Sequence, residues 1–217
     1  MLLTPEVTSD NVGDDSTASH WDDAYAAGET AGSWFQQHPH MSLRMLAKAG
    51  IRADDSVIDV GGGASPLAGT LLERGFADIT VLDVSAAGMA HARQRLGDRA
   101  ERVEWLVFDV RTWEPWRRYR VWHDRAVFHF LTTTEDRRQY LQAMDAATEV
   151  DGIAVFGCFA PDGPRHCSGL PVARYSSLDL ADQLGTQWVL ISHAREEHVT
   201  PAGVIQPFCW SVLRKQA

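Results

Sequence analysis

The chain has 217 residues, 45% of them hydrophobic, and a net charge of −9, which suits one well-packed domain and leaves little room for a second. An acidic balance with no dense Lys/Arg stripe gives no electrostatic footprint for a phosphate backbone, so nucleic acid is not an expected partner. No segment approaches the apolar length that crosses a bilayer, and the opening residues lack the pattern of an export signal; a cytoplasmic location without membrane contact is expected.

Residues 1–19 are polar and rich in Ser, Thr and Asp, which predicts a flexible tail ahead of a single domain over residues 20–217. "HWDDAYAAG" and "HPHMSLRMLAKAG" read as two short helices within a cap of residues 20–50. The second presents Met41, Leu43, Met45 and Leu46 and stops at Gly50, a natural C-cap.

From Ser56 the pattern alternates: strand "SVIDV", helix "SPLAGTLLERG", strand "DITVLDV", helix "SAAGMAHARQRLG", strand "RVEWLVFDV". It continues with strand "YRVWHDRAV", helix "TEDRRQYLQAMDAATEV" and strand "GIAVFGCFA". Short β-branched runs between amphipathic stretches predict βαβ units, hence a doubly wound α/β fold whose mainly parallel sheet carries helices on both faces. The last strand-like runs, joined by "TPAG", predict a C-terminal antiparallel hairpin. Cys158, Cys167 and Cys209 lie far apart, without the spacing of a zinc site or disulfide framework, so reduced thiols and no metal are expected.

In such a sheet ligands sit beyond the carboxyl ends of the strands, and Gly61 and Gly63 follow the first strand, where bare backbone admits close approach. The dinucleotide fingerprint is not met, because Pro66 stands where its third glycine belongs, and no lysine follows to make a triphosphate loop. Asp59, Asp83 and Asp109 end three successive strands. Three acidic groups along one rim repel a pyrophosphate and suit a nucleoside-like ligand with a cationic end. Asp83 is placed to accept from a ribose diol.

These features resemble the class I S-adenosylmethionine-dependent methyltransferases, over roughly residues 20–213. The family's acidic-x-Gly-x-Gly-x-Gly motif is matched by Asp59, Gly61 and Gly63, with Ser65 in place of the last glycine. The resemblance implies a seven-stranded, Rossmann-like methyltransferase fold and S-adenosylmethionine as cofactor. Asp59, Gly61 and Gly63 would lie by the methionine part, Asp83 and Val84 by the ribose, and Asp109 and Val110 by the adenine. Trp21, Tyr25, Trp34 and Phe35 would form an aromatic lid over the sulfonium, the alternative being a hydrophobic seal under a packed helix. The fourth strand ends in "VWHDRAVFHFL", and in the family this segment borders the transferred methyl. His123, Asp124, Arg125 and His129 are therefore the acceptor-side candidates, with His123 also near the cofactor, a histidine as base and Asp124 as an orienting group.

The loop "APDGPRHCSGLPVARYS" is a candidate specificity loop whose arginines hint at an anionic acceptor. A small-molecule acceptor of the thiopurine or thiol kind is the leading expectation. A protein-lysine methyltransferase and a non-catalytic S-adenosylmethionine-binding regulator are the alternatives. Base methylation is disfavoured because "HDRA" replaces the Asn/Asp-Pro-Pro-aromatic motif expected after strand four.

Overall fold

The alternating runs form helices and strands in the expected order, and the computed structural model describes residues 15–26, 28 and 32–216. The helices are α1 (Asp15–Ala26), α2 (His40–Lys48), α3 (Leu67–Glu73), α4 (Ala86–Leu96), α5 (Thr134–Ala147) and α6 (Ser177–Leu184). The first five strands are β1 (Val57–Val60), β2 (Ile79–Asp83), β3 (Glu104–Val107), β4 (Tyr119–Arg125) and β5 (Thr148–Phe159). After them come β6 (His166–Cys167), β7 (Leu170–Pro171), β8 (Trp188–Val199) and β9 (Ile205–Lys215). One seven-stranded sheet has the order β3-β2-β1-β4-β5-β9-β8, and β6 pairs with β7 alone. Strands β1 to β5 pair in parallel, while β9 runs antiparallel to both β5 and β8. This is the mainly parallel seven-stranded sheet with a C-terminal antiparallel hairpin expected from the sequence. Among the described residues no helix is long and apolar enough to cross a membrane.

The period of two along each strand divides the core into two layers. Val57, Val121, Val155 and Val212 face a layer that includes Met45, Leu67 and Leu71 of the helices. Ile58, Trp122, Phe156 and Leu213 face Tyr140 and Met144 of α5 and Leu180 of α6. Helix α2 ends as its glycine suggested: Gly50 has φ +74°, its N–H returns to Ala47 O and the Ile51 N–H to Leu46 O.

Several boundaries and elements differ from the sequence reading. Helix α1 starts at Asp15, inside the stretch read as a tail, and residues 1–14 lie outside those described. Helix α5 stops at Ala147, because β-branched Thr148 turns its Oγ1 back to Met144 O and starts β5, which then takes an irregular step in register against β4. Helix α6 was not anticipated, although its capping box, Ser176 with Asp179, is a sequence signal.

On the face that carries Val155, the indole of Trp210 lies over Gly157, where an added Cβ would sit 2.9 Å from the ring. Gly157→Ala is expected to destabilise the fold by about 1–3 kcal/mol, the scale of overpacking, in denaturant unfolding. An unchanged midpoint would show the indole free to move.

Candidate active site

The order of strands reverses between β1 and β4, and a cavity of about 300 Å3 opens beyond their carboxyl ends. Asp59 on β1 and His123 on β4 are direct neighbours in the parallel register, and Asp59 Oδ1 lies 2.7 Å from His123 Nδ1. Both line the cavity and are 2% exposed. Asp59 Oδ2 and His123 Nε2 are buried without a protein partner among the described residues.

The glycines after β1 are bare for the protein's own side chains as well as for a ligand. Gly61 has φ +68° and an added Cβ would run into Val127 Cγ2. Gly63 has φ +34° and its missing Cβ leaves space for the Tyr25 hydroxyl, with Asp83 Oδ2 3.0 Å from that position. Gly61 lines the cavity, whereas Gly63 is covered by Tyr25.

Asp83 at the end of β2 accepts the Ser85 N–H at 2.7 Å. Burial pushes its pKa up to about 7, against the Ser85 and Gly63 N–H groups, with the charges of Asp59 and Asp22 adding to the rise. Helix α1 docks directly beside it. Asp22 Oδ1 accepts from Ser85 Oγ at 2.6 Å and from the Ala87 N–H at 3.1 Å, while Ser85 Oγ caps α4 by accepting from Gly88 N. Tyr25 thereby lies over the start of α4, and burial raises its phenol above the ordinary range.

Asp109 and Val110 line the cavity, as does Val84, but Asp109 is not a free rim acid. Arg111 Nε reaches both its oxygens at 3.0 Å, and Arg111 Nη1 also pairs with Asp136 at 2.8 Å. The sequence reading missed Arg111, although an arginine two residues after the aspartate was visible. It also missed Phe108 and Phe130, which join the cavity wall.

The aromatic residues expected to form a lid meet one another at the cavity wall. Trp34 makes edge contacts with Trp21 and Tyr25, at 5.6 and 5.9 Å between centroids. Trp34 O accepts from Arg125 Nη1 at 2.9 Å, and the Arg125 guanidinium lies 5.0 Å over the Phe208 ring. Trp21, Tyr25, Trp34 and Arg125 all line the cavity. From the long loop only Cys167, Leu170 and Pro171 join the wall; Arg174 is tied to Pro161 O instead.

Two acceptor-side candidates lie behind the wall. Asp124 sits next to His123 on β4, so its side chain points to the opposite face of the sheet. There it accepts from the N–H groups of Val127 and Phe128 and from Tyr140 Oη, which in turn accepts from Trp122 Nε1. Burial pushes its pKa up to about 6, opposed first by the Tyr140 hydroxyl. Its role is to hold the turn at Ala126, φ +68°, from which Arg125 and Val127 reach the cavity. His129 is fully buried, accepts the Phe159 N–H at Nδ1, and is held neutral by burial and by the Arg125 charge, which pull its pKa down to about 3. It does not line the cavity and is not placed to take a substrate proton.

Residues 57–152, from β1 into β5, match the family model described as a methyltransferase domain. No curated protein sequence matches the chain. Among solved structures the chain is similar to the Burkholderia thailandensis 1,6-didemethyltoxoflavin-N1-methyltransferase, at 19% identity and a TM-score of 0.71, covering 97% of this chain and 94% of that one. A SAM-dependent methyltransferase from Anabaena variabilis gives 12% identity and a TM-score of 0.74, covering 98% and 100%. A structure described for the conversion of a disulfide bond into a thioacetal group during echinomycin biosynthesis gives 20% and 0.73, covering 92% of each chain. These likenesses carry the fold. The domain match and the fold together agree with the S-adenosylmethionine-dependent methyltransferase expected from the sequence.

The cavity fits the S-adenosylmethionine that the sequence resemblance implies. Its volume of about 300 Å3 is of ligand-pocket size, and the unpartnered Asp59 Oδ2 and the strained carboxylate of Asp83 call for donors and positive charge. A ligand that donates hydrogen bonds to Asp83 needs it ionised. With a pKa of about 7 the ionised fraction falls roughly tenfold between pH 8 and pH 6, so S-adenosylhomocysteine affinity is expected to weaken about tenfold over that range. Calorimetry at the two pH values checks this, and Asp83→Asn is expected to flatten the profile. A wild-type affinity independent of pH would remove Asp83 from the contact.

Proposed function

We propose that the enzyme moves the sulfonium methyl group to a nucleophilic sulfur, nitrogen or oxygen of a small-molecule acceptor, releasing S-adenosylhomocysteine. The observation that carries this reading is the aromatic lining of the cavity, where Trp21 meets both Trp34 and Phe130 edge-on and Cys167 and Leu170 join the same wall, a lining suited to a small, largely apolar acceptor. The Burkholderia neighbour, named for N1 methylation of 1,6-didemethyltoxoflavin, supports the same class of acceptor. The free thiols of Cys158, Cys167 and Cys209 suit a cytoplasmic setting.

The cofactor supplies an electrophilic methyl on sulfur, poised for in-line displacement. In this reading Asp83 with Val84 holds the ribose, Val110 and Phe108 flank the adenine, and Asp59 with the Gly61 backbone holds the methionine end. Asp109, already neutralised by Arg111, shapes the adenine end without adding charge. Tyr25 and the indoles of Trp21 and Trp34 exclude water and offer aromatic faces to positive charge. His123 takes the proton from an acceptor that arrives protonated: Asp59 accepts from Nδ1–H, which leaves Nε2 as the basic nitrogen.

The test is incubation with methyl-labelled S-adenosylmethionine and a panel of thiols, amines and heteroaromatic compounds. Label in a low-mass product, with matching release of S-adenosylhomocysteine, is expected. Label in a protein band would favour lysine methylation, and binding without turnover would favour a regulator. On a protonated acceptor, His123→Gln is expected to lower kcat by about 100-fold or more while leaving S-adenosylhomocysteine binding nearly unchanged. An unaltered kcat would show that the acceptor loses its proton elsewhere.

A further inference from the structure

We propose that Arg125 anchors a carboxylate carried by the methyl acceptor. The inference rests on the methyltransferase reading and specifies its substrate class. Arg125 lines the cavity on the same sheet face as His123, two residues apart on β4. Its Nη1 is fixed by Trp34 O, and Phe208 supports the guanidinium plane at 5.0 Å. Nε and Nη2 are buried and have no hydrogen-bond partner among the described residues. These two nitrogens share one edge of the guanidinium and form the side-on fork that matches the two oxygens of a carboxylate.

No protein carboxylate meets that edge. Glu196 contributes attractive charge, yet one of its oxygens accepts from Gln36 Nε2 at 3.0 Å and the other from Trp210 Nε1 at 2.7 Å. Asp59 is engaged with His123. The other arginine at the cavity, Arg111, is bound by Asp109 and Asp136. Burial accordingly pulls the Arg125 pKa below its ordinary value, although an arginine remains charged at any working pH. A guanidinium kept this dry is stabilised by an anion brought in from outside.

Because Nε and Nη2 are shut off from water, the wall beside them must give when the anion arrives. The β6-β7 hairpin is the part suited to do so: its Cys167 and Leu170 line the same cavity as Arg125, and it is held by two residue pairs, His166 with Pro171 and Cys167 with Leu170. An acceptor docked this way presents its carboxylate to Arg125 and the rest of its body to His123 and the aromatic lining. Small aromatic or heteroaromatic acids with a nucleophilic substituent fit that description.

The test uses the full chain saturated with S-adenosylhomocysteine. Binding of S-adenosylhomocysteine is measured first, so that failure of the cofactor site is distinguished from failure of this inference. Matched acid and amide probes, benzoate against benzamide and nicotinate against nicotinamide, are then titrated by calorimetry. The acids are expected to bind at least about tenfold more tightly than their amides, the scale of a charge-assisted hydrogen-bonded pair. Arg125→Gln is expected to abolish that preference while S-adenosylhomocysteine binding persists. Arg125→Lys, which keeps the charge and loses the fork, is expected to reduce it several-fold and serves if the glutamine variant does not fold. Equal or absent binding of acid and amide by the wild-type protein, or an acid preference that survives both substitutions, overturns the proposal.

Discussion

The parallel pairing of β1 with β2 on one side and β4 on the other is the constraint on which the rest of the site depends. It brings the carboxyl ends of three strands to one edge in a register that sets Asp59 against Val81 and His123. It also places charged groups deep in a sheet that is otherwise Val, Ile and Leu, where each must find a partner or wait for one. Asp124 is satisfied by the turn after β4 and by Tyr140, Asp109 by Arg111, and Asp59 in part by His123. Among the carboxylates and guanidiniums that border the cavity, Asp83 and Arg125 are the two whose pKa values are shifted first by desolvation. The fold thus leaves one acidic and one basic group of the cavity wall without a protein ion-pair partner among the described residues.

The cavity wall carries both signs of charge. Asp59 and Asp83 suit a ligand with hydroxyl donors and positive charge, and Arg125 suits an anion. Helix α1 ties the wall together, since Asp22 fastens it to the start of α4 and its Tyr25 and Trp21 line the cavity.

Much of this was legible in the sequence because it depends on local pattern. Alternation gave the sheet, and the order of Asp59, the glycines and Asp83 along the chain was enough to place them around one cavity edge, beyond β1 and at the end of β2. Side-chain facing was harder. His123 and Asp124 were both assigned to the acceptor, yet adjacent residues of one strand cannot face the same side, so the period of two already excluded one of them. His129 and Arg111 depended on packing across elements: the helical turn that buries one and the Asp136 that completes the pairing of the other lie in segments whose approach no local pattern reports. Helix α6 was a plain omission, because its capping box was present in the residues.

The measurement that bears most directly on the account is calorimetric titration of the protein with S-adenosylmethionine, S-adenosylhomocysteine and NAD in parallel. Micromolar binding of the first two and none of NAD is the predicted result. Binding of NAD alone would contradict the roles given to the glycine loop and to every side chain placed around it.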